Sequence, residues 1–184
     1  MPESAQPRRR ARGLRLLVRV AVPVLFAASL TYVFTRVIRF GYVVSSSMEP
    51  ALQVGDFYIV RLDAYRDGSQ PRRGDVVVYA GPDDEPYVKR VVGLGGELLW
   101  LVGGRVWLAD GWLREPYVKE LPSPDWPVLV RVPEGSVFVL GDNRNLSEDS
   151  RDHGPVPLSR LLGRATRVVW PLGHLKVLAD VDYQ

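Results

Sequence analysis

The chain has 184 residues, enough for one self-sufficient core of about 140 residues plus an N-terminal segment of helix size. It has no cysteine, which excludes disulfides, thiol catalysis and cysteine metal sites, and two histidines, His153 and His174, are too few for a histidine-rich metal site. The net charge of +3 is lopsided: Arg8, Arg9, Arg10, Arg12, Arg15 and Arg19 stand against Glu3, and the chain from Arg36 onward is close to neutral or acidic.

A basic arm over residues 1–15 suits nucleic acid or a membrane surface, and the apolar run directly after it favours the positive-inside reading, with no nucleic-acid partner. Residues 1–13 are expected to be disordered. Val20 to Thr35 carries no charge, and Leu16 to Val18 and Val37-Ile38 extend it, so residues 16–38 read as one transmembrane helix. Its uncharged centre rises only about 24 Å against a hydrocarbon core of roughly 30 Å, which Arg19 and Arg36 make up by snorkelling. No pair of small residues near Tyr32 to Arg36 offers a signal-peptide cleavage site. The arginine excess places the N-terminus in the cytoplasm and residues 41–184 outside it, with Arg39, Phe40 and Tyr42 as an interfacial collar.

Beyond Tyr42 the chain changes to short β-prone runs divided by Gly, Pro, Asp and Asn. Strands are expected at Phe57 to Arg61, Asp75 to Tyr79, Tyr87 to Val92, Leu98 to Val102 and Arg105 to Leu108. Further ones fall at Val128 to Val132, Ser136 to Leu140, Ala165 to Val169 and Leu175 to Leu178, with a helical turn at Leu158 to Leu162. This spacing predicts a mainly β, antiparallel sandwich or partly closed barrel.

Two residues invite a chemical reading. Lys89 is one of three lysines, with Lys119 and Lys176, in a chain that otherwise uses arginine. Arginine keeps its proton at any working pH, whereas a buried lysine loses it. In a strand Lys89 shares a face with Tyr87 and Val91, and Arg90 shares the other with Val88 and Val92, so Lys89 has apolar neighbours on its own side. To act as a base, its reference pKa near 10.4 must fall by about two to three units, roughly 3–4 kcal/mol. Taken alone, an edge-strand lysine that discourages aggregation is the better explanation. Ser47 ends the small-residue run Ser45-Ser46-Ser47-Met48-Glu49-Pro50, which reads alone as an ordinary turn. A serine nucleophile needs a base; His153, in a loop with Asp152 and Gly154, is the histidine alternative to Lys89. A third segment, Gly141 to Arg151, is dense in hydrogen-bonding groups and suits a support shell: Ser147 can hold a lysine amine, and Asp149 can pair with Arg151.

Taken in order, these pieces resemble the bacterial type I signal peptidases, membrane-anchored serine proteases that remove signal peptides from secreted preproteins. The resemblance runs from about Gly41 to Leu178. It rests on Ser45 to Leu52, Gly55-Asp56, Arg73 to Val78, Tyr87 to Gly93, Asp110 to Tyr117, Gly141 to Arg151, Gly163-Arg164-Ala165 and Trp170-Pro171. It implies the signal-peptidase type of β fold, Ser47 as nucleophile, Lys89 as general base and an acyl-enzyme intermediate. It further implies that Ser147 orients the Lys89 amine, that the Ser47 N–H and the Ser45 hydroxyl form the oxyanion hole, and that Asp142, Arg144, Asp149, Arg151 and Arg90 support the site. A single oxyanion donor is worth around 3 kcal/mol in such enzymes. No metal or cofactor is needed. The implied substrate is an extended preprotein signal peptide with an Ala-x-Ala site, bound along a sheet edge beside the lipid bilayer. Ser47 lies eight residues past Arg39, within about 28 Å of the membrane boundary even if fully extended. Trp170 is a candidate interfacial anchor. The chain departs from the family with Val44 where proline is common, Ser46 where glycine is common, and Gly93-Leu94-Gly95-Gly96-Glu97 where Gly-x-Pro-Gly-Asp is frequent. A self-cleaving repressor-type protease shares the dyad but carries a DNA-binding helix pair in place of this apolar segment, and a non-catalytic anchored β-domain is the rival of another class.

Overall fold

The computed structural model describes the backbone of residues 6–66, 68–120 and 127–178, with side chains from Leu17 onward. By internal contacts the chain divides into two units, Met1–Ile38 and Arg39–Gln184. The first holds helix α1, Gln6–Tyr32, continued by one π-helical turn at Val33–Val37. Leu17–Val37 is long and apolar enough to cross a membrane, with a mean hydropathy of 1.9. Residues 6–13, expected to be disordered, are helical, whereas residues 1–5 lie outside the described residues. Arginine and alanine are strong helix formers, and a helix already nucleated in the apolar run extends through them at little cost.

The second unit is built of antiparallel strands. These are β1 (Ile38–Tyr42), β2 (Phe57–Arg61), β3 (Val76–Ala80), β4 (Pro86–Leu94), β5 (Leu98–Val102), β6 (Arg105–Leu108), β7 (Gly111–Trp112), β8 (Val128–Arg131), β9 (Ser136–Leu140), β10 (Val156–Pro157), β11 (Leu161–Trp170) and β12 (Lys176–Val177), with one short helix, α2, at Ser150–His153. Among the described residues the larger sheet runs β1-β2-β11-β3-β4-β9-β10, with β12 added to β11, and the smaller runs β7-β6-β5-β8. Strands rich in Val, Ile, Tyr and Trp form because branched and aromatic side chains fit a pleated, half-buried surface.

Period-two alternation sorts the core. Val76 and Val78 join one cluster with Val60, Val168, Met48 and Leu52, and Val77 and Tyr79 join another with Val91, Val137 and Val139. A third cluster, Val92, Leu99, Leu101, Val106, Phe138 and Leu140, binds the smaller sheet to the ends of β4 and β9. Strand β4 contributes to all three, with Val88 packed on the first, Tyr87 and Val91 on the second and Val92 in the third.

The mainly β, antiparallel architecture agrees with the sequence reading; the differences are local. Arg39, Phe40 and Tyr42 lie in a strand beside β2, and β11 is twice the expected length because register shifts near Gly163, Thr166 and Val169 interrupt its alternation. The turn expected at Leu158 to Leu162 is a single 3₁₀ turn, Leu158–Arg160, which feeds directly into β11.

Gly163 marks a close crossing of two strand backbones. A Cβ there would lie 2.4 Å from the Arg61 carbonyl oxygen and 2.9 Å from Val60 Cγ1. Gly163→Ala must therefore push β11 off β2, and we expect a loss of about 1–3 kcal/mol, read as a lower urea midpoint of the detergent-solubilised chain.

Candidate active site

The segment before β2 forms a 3₁₀ turn at Ser46–Met48, entered from Ser45 in extended conformation. Met48 is fully buried in the first core cluster and its carbonyl accepts from Leu52 N at 2.8 Å. With Met48 seated in the core, the preceding residue is fixed in position. Ser47 is 4% exposed, and its Oγ lies 2.9 Å from Lys89 Nζ and 3.2 Å from Ser45 Oγ.

Lys89 reaches that point from β4. It faces Val77 across the ladder, is 4% exposed, and has the Tyr87 ring centroid 5.6 Å from Nζ. Its other hydrogen bond runs from Nζ to the Val88 carbonyl at 3.1 Å. Burial pushes the Lys89 amine below its ordinary value, against the opposing fields of Asp149, Glu148 and Asp142, while the Arg151 charge adds to the lowering.

The loop after β9 closes over the serine turn. Asn143 N donates to the Ser47 carbonyl at 3.0 Å and Asn143 Nδ2 to the Ser46 carbonyl at 3.1 Å. Gly141 is obligatory here, since a Cβ would fall 2.2 Å from Ser147 Oγ and 2.6 Å from the Ser47 carbonyl oxygen. Three ion pairs brace the loop. Arg90 grips Asp142 in a fork, Nε to Oδ1 at 2.8 Å and Nη2 to Oδ2 at 2.7 Å, while Nη1 donates to the Gly74 carbonyl and the Tyr117 ring lies 4.2 Å from Cζ. Arg144 pairs with Glu115 and donates to the Gly104 and Gly141 carbonyls, tying the loop to the smaller sheet. Arg151 Nε donates to Asp149 Oδ1 at 2.9 Å, and its Nη2 reaches the Arg144 carbonyl at 2.7 Å. Asp149 also accepts from Gly141 N and caps α2, with Asp152 closing a reciprocal box.

The nine residues singled out in the sequence thus meet around one turn, with one difference in contact. Ser147 stands beside the turn, but its hydroxyl donates to Asp149 Oδ2 at 2.7 Å rather than bonding the lysine amine. The dense carboxylate of Asp149 is the stronger acceptor. His153, at the end of α2, pairs with Glu148 at 2.7 Å and makes no hydrogen bond to Ser47 among the described residues. Asn143, Tyr87, Met48 and Glu115 escaped the sequence reading as site residues. Asn143 lay inside a quoted segment, but an asparagine in a turn carries no signal of which carbonyls it holds. Among the described residues no cluster of three or more His, Cys, Asp or Glu could hold a metal ion.

Beside the Ser47–Lys89 contact opens a cleft of about 660 Å³, walled by Val43, Val44 and Ser45 on one side and by Pro86 to Lys89 on the other, with Tyr58 and Leu146 among its lining. β3 pairs with β4 from Pro86 to Arg90, whereas β9 joins only from Arg90 to Leu94. The opposite edge of β4 at 86–89 therefore has no strand partner among the described residues, and it borders the cleft.

Comparison with known proteins bears on this arrangement. The family described as signal peptidase, peptidase S26, matches residues 14–170. The chain is 34% identical over 183 residues to signal peptidase I of Leptolyngbya laminosa, covering 95% of this chain and 88% of that protein. It is 38% identical over 146 residues to a probable signal peptidase I-2 of Synechocystis, covering 76% of this chain and 66% of that one. Signal peptidase I of Mycobacterium tuberculosis is 31% identical over 224 aligned positions, covering 89% and 76%. A match that spans most of the chain and takes in both the serine turn and the lysine strand places it by descent: the chain belongs to the signal peptidase family, peptidase S26.

Proposed function

We propose that this protein is a membrane-anchored serine endopeptidase that removes signal peptides from secreted preproteins, with Ser47 as nucleophile and Lys89 as general base. The observation that carries the reading is the 2.9 Å approach of a buried lysine amine to a buried serine hydroxyl. The Ser47 hydroxyl has Lys89 Nζ and Ser45 Oγ as its hydrogen-bond partners, and neither is a histidine.

The steps follow from the contacts. Neutral Lys89 takes the Ser47 proton on its lone pair as Oγ attacks the scissile carbonyl; one of its own N–H bonds is held by the Val88 carbonyl. The tetrahedral oxyanion is met by the Ser47 N–H and the Ser45 hydroxyl. The Lys89 ammonium then gives its proton to the leaving amine as the C–N bond breaks, which leaves the signal peptide as an ester on Ser47. Water, deprotonated by Lys89, hydrolyses that ester and frees the serine. Ser147 acts at one remove: by fixing Asp149 it holds the loop that clamps Ser47, together with Asp142, Arg90, Arg144 and Arg151.

Substrate enters as an added strand along the open edge of β4, opposite Val43 to Ser45, so main-chain bonds supply affinity and the cleft selects side chains. The family resemblance assigns an Ala-x-Ala preference to that cleft. Helix α1 spans the cell membrane with its arginine-rich end in the cytoplasm and the catalytic unit outside. Phe40, Tyr42, Phe57 and Trp170 form an exposed apolar band on neighbouring strands of the second unit, and it suits a lipid interface.

Ser47→Ala and Lys89→Ala should each lower cleavage of an Ala-x-Ala preprotein by about 10³-fold or more, with Ser45→Ala losing about 10²-fold. The parent rate should fall on the acid side as Lys89 takes up its proton; a rate independent of pH down to about 5 excludes lysine as the base.

The same amine also links stability to pH. Its folded pKa lies below the unfolded value of 10.5, so between the two the unfolded chain binds a proton that the folded chain does not, and stability rises with pH. Lys89→Met should therefore stabilise the protein most below the folded pKa, by about 1.4 kcal/mol per unit of depression. Urea midpoints of parent and variant should converge as pH rises toward 10.5.

A phosphatase reporter fused after Gln184, which is active only outside the cytoplasm, should be active in cells. Reporter activity confined to the cytoplasm overturns the topology.

A further inference from the structure

The smaller sheet has two unlike faces. Leu99, Leu101 and Val106 point into the third core cluster, and the alternate residues point outward. Register aligns Trp112 with Trp107, Trp107 with Trp100, and Trp100 with Leu129, so one apolar row crosses all four strands. Its members are 50%, 39%, 47% and 64% exposed in that order, a contiguous patch rather than scattered apolar residues. The Trp107 and Trp112 rings meet edge to face at 4.9 Å, which fixes part of the row without covering it.

Charge on this face has one sign. Arg105, opposite Val102, and Arg131, opposite Leu98, flank the row; both are exposed and neither has an ion-pair partner among the described residues. The four strands contain no acidic residue, and Asp110 in the β6–β7 turn is the neighbouring carboxylate. An occupant must therefore offer apolar depth and negative charge together. A second copy stacked on this face would bring four arginines together against only the two Asp110 carboxylates of the β6–β7 turns. A bilayer with acidic headgroups meets both demands, since tryptophan favours the headgroup level and each arginine gains about 1 kcal/mol near an anionic surface. The chain also carries a membrane-length helix, which keeps lipid within reach.

We propose that the outward face of the β7-β6-β5-β8 sheet is a second lipid contact of this protein, a tryptophan row with flanking arginines that lies on anionic phospholipid. It is distinct from the apolar helix and from the peptide cleft, and it does not depend on the catalytic reading.

The absence of cysteine makes the test direct. The full chain, carrying Leu129→Cys or, as an exposed control, Gln70→Cys, is labelled with an environment-sensitive fluorophore. It is reconstituted in phosphatidylcholine vesicles with or without about one-third phosphatidylglycerol, and quenching by doxyl-labelled lipid is measured. The expected result is quenching at position 129 about twofold or more above that at position 70, dependent on phosphatidylglycerol and weakened by salt. Arg105→Glu with Arg131→Glu should return position 129 to the control level, with circular dichroism unchanged to show an intact fold. Equal quenching at the two positions, quenching indifferent to lipid charge, or an effect lost when the protein is diluted in lipid overturns the proposal. The last result would assign the face to a second copy.

Discussion

A lysine amine held out of water within hydrogen-bond reach of a serine hydroxyl is the constraint that organises this molecule. An ammonium in such a place is disfavoured by the loss of water around it, and burial accordingly pushes the Lys89 amine below its ordinary value. The fold must keep Lys89 largely out of water although it borders the cleft, and β4 is placed to do so. Among the described residues it is the one strand packed on all three core clusters, with Val77 opposite the lysine and Tyr87 and Val91 beside it on the same face. The serine arrives from a different element, fixed by Met48 in the first cluster. The contact at 2.9 Å is thus set by packing on both sides rather than by the mutual attraction of the two groups.

The bracing ion pairs gain a second meaning from this. Asp142 and Asp149 both act on Lys89 in the direction of keeping its proton, and each is bound by a guanidinium, Arg90 or Arg151. A buried pair of this kind is weak evidence for net stability, because the desolvation of both charges offsets their attraction. Its effect on a neighbour is clearer. A carboxylate with a guanidinium beside it presents a dipole in place of a net charge, and its pull on the lysine proton weakens accordingly. Asp149 holds the Gly141 backbone N–H, and the arginines beside Asp149 and Asp142 offset the pull of those carboxylates on the lysine proton.

Much of this was legible in the sequence, for reasons that differ by element. The strand through Leu99 alternates because one face is core, whereas those through Val76, Val88 and Val137 read as short continuous apolar runs because both faces pack on core clusters. Lys89 stood out because arginine fills most other basic positions. β1 was hidden by its continuity with the apolar helix, and the full length of β11 by bulges that break period two. The start of α1 at Gln6 was obscured because arginine-rich segments are read by charge before helix propensity. Contacts between side chains were the hardest to foresee. Ser147 and Asp149 lie two apart, and nothing in that spacing tells that the hydroxyl turns to its neighbour instead of to a lysine from another strand.

The two departures from the family pattern before the serine show how such contacts substitute for residue types. A proline at Val44 would stiffen the approach by fixing φ, and a glycine at Ser46 would permit a left-handed turn. Neither is required here. Asp84 is the only non-glycine with positive φ among the described residues, so Ser46 turns within ordinary backbone space. Rigidity comes instead from Val43 N donating to the Asp56 carbonyl at 2.9 Å and Gly55 N donating back to the Val43 carbonyl at 3.0 Å. Asn143 then pins the Ser46 carbonyl from above. Asp56 is itself fully buried, accepts from Gln53 N and pairs with His174, so the short loop behind the serine is closed on itself. Relieved of its stiffening task, position 44 is free to present an exposed valine to the wall of the cleft.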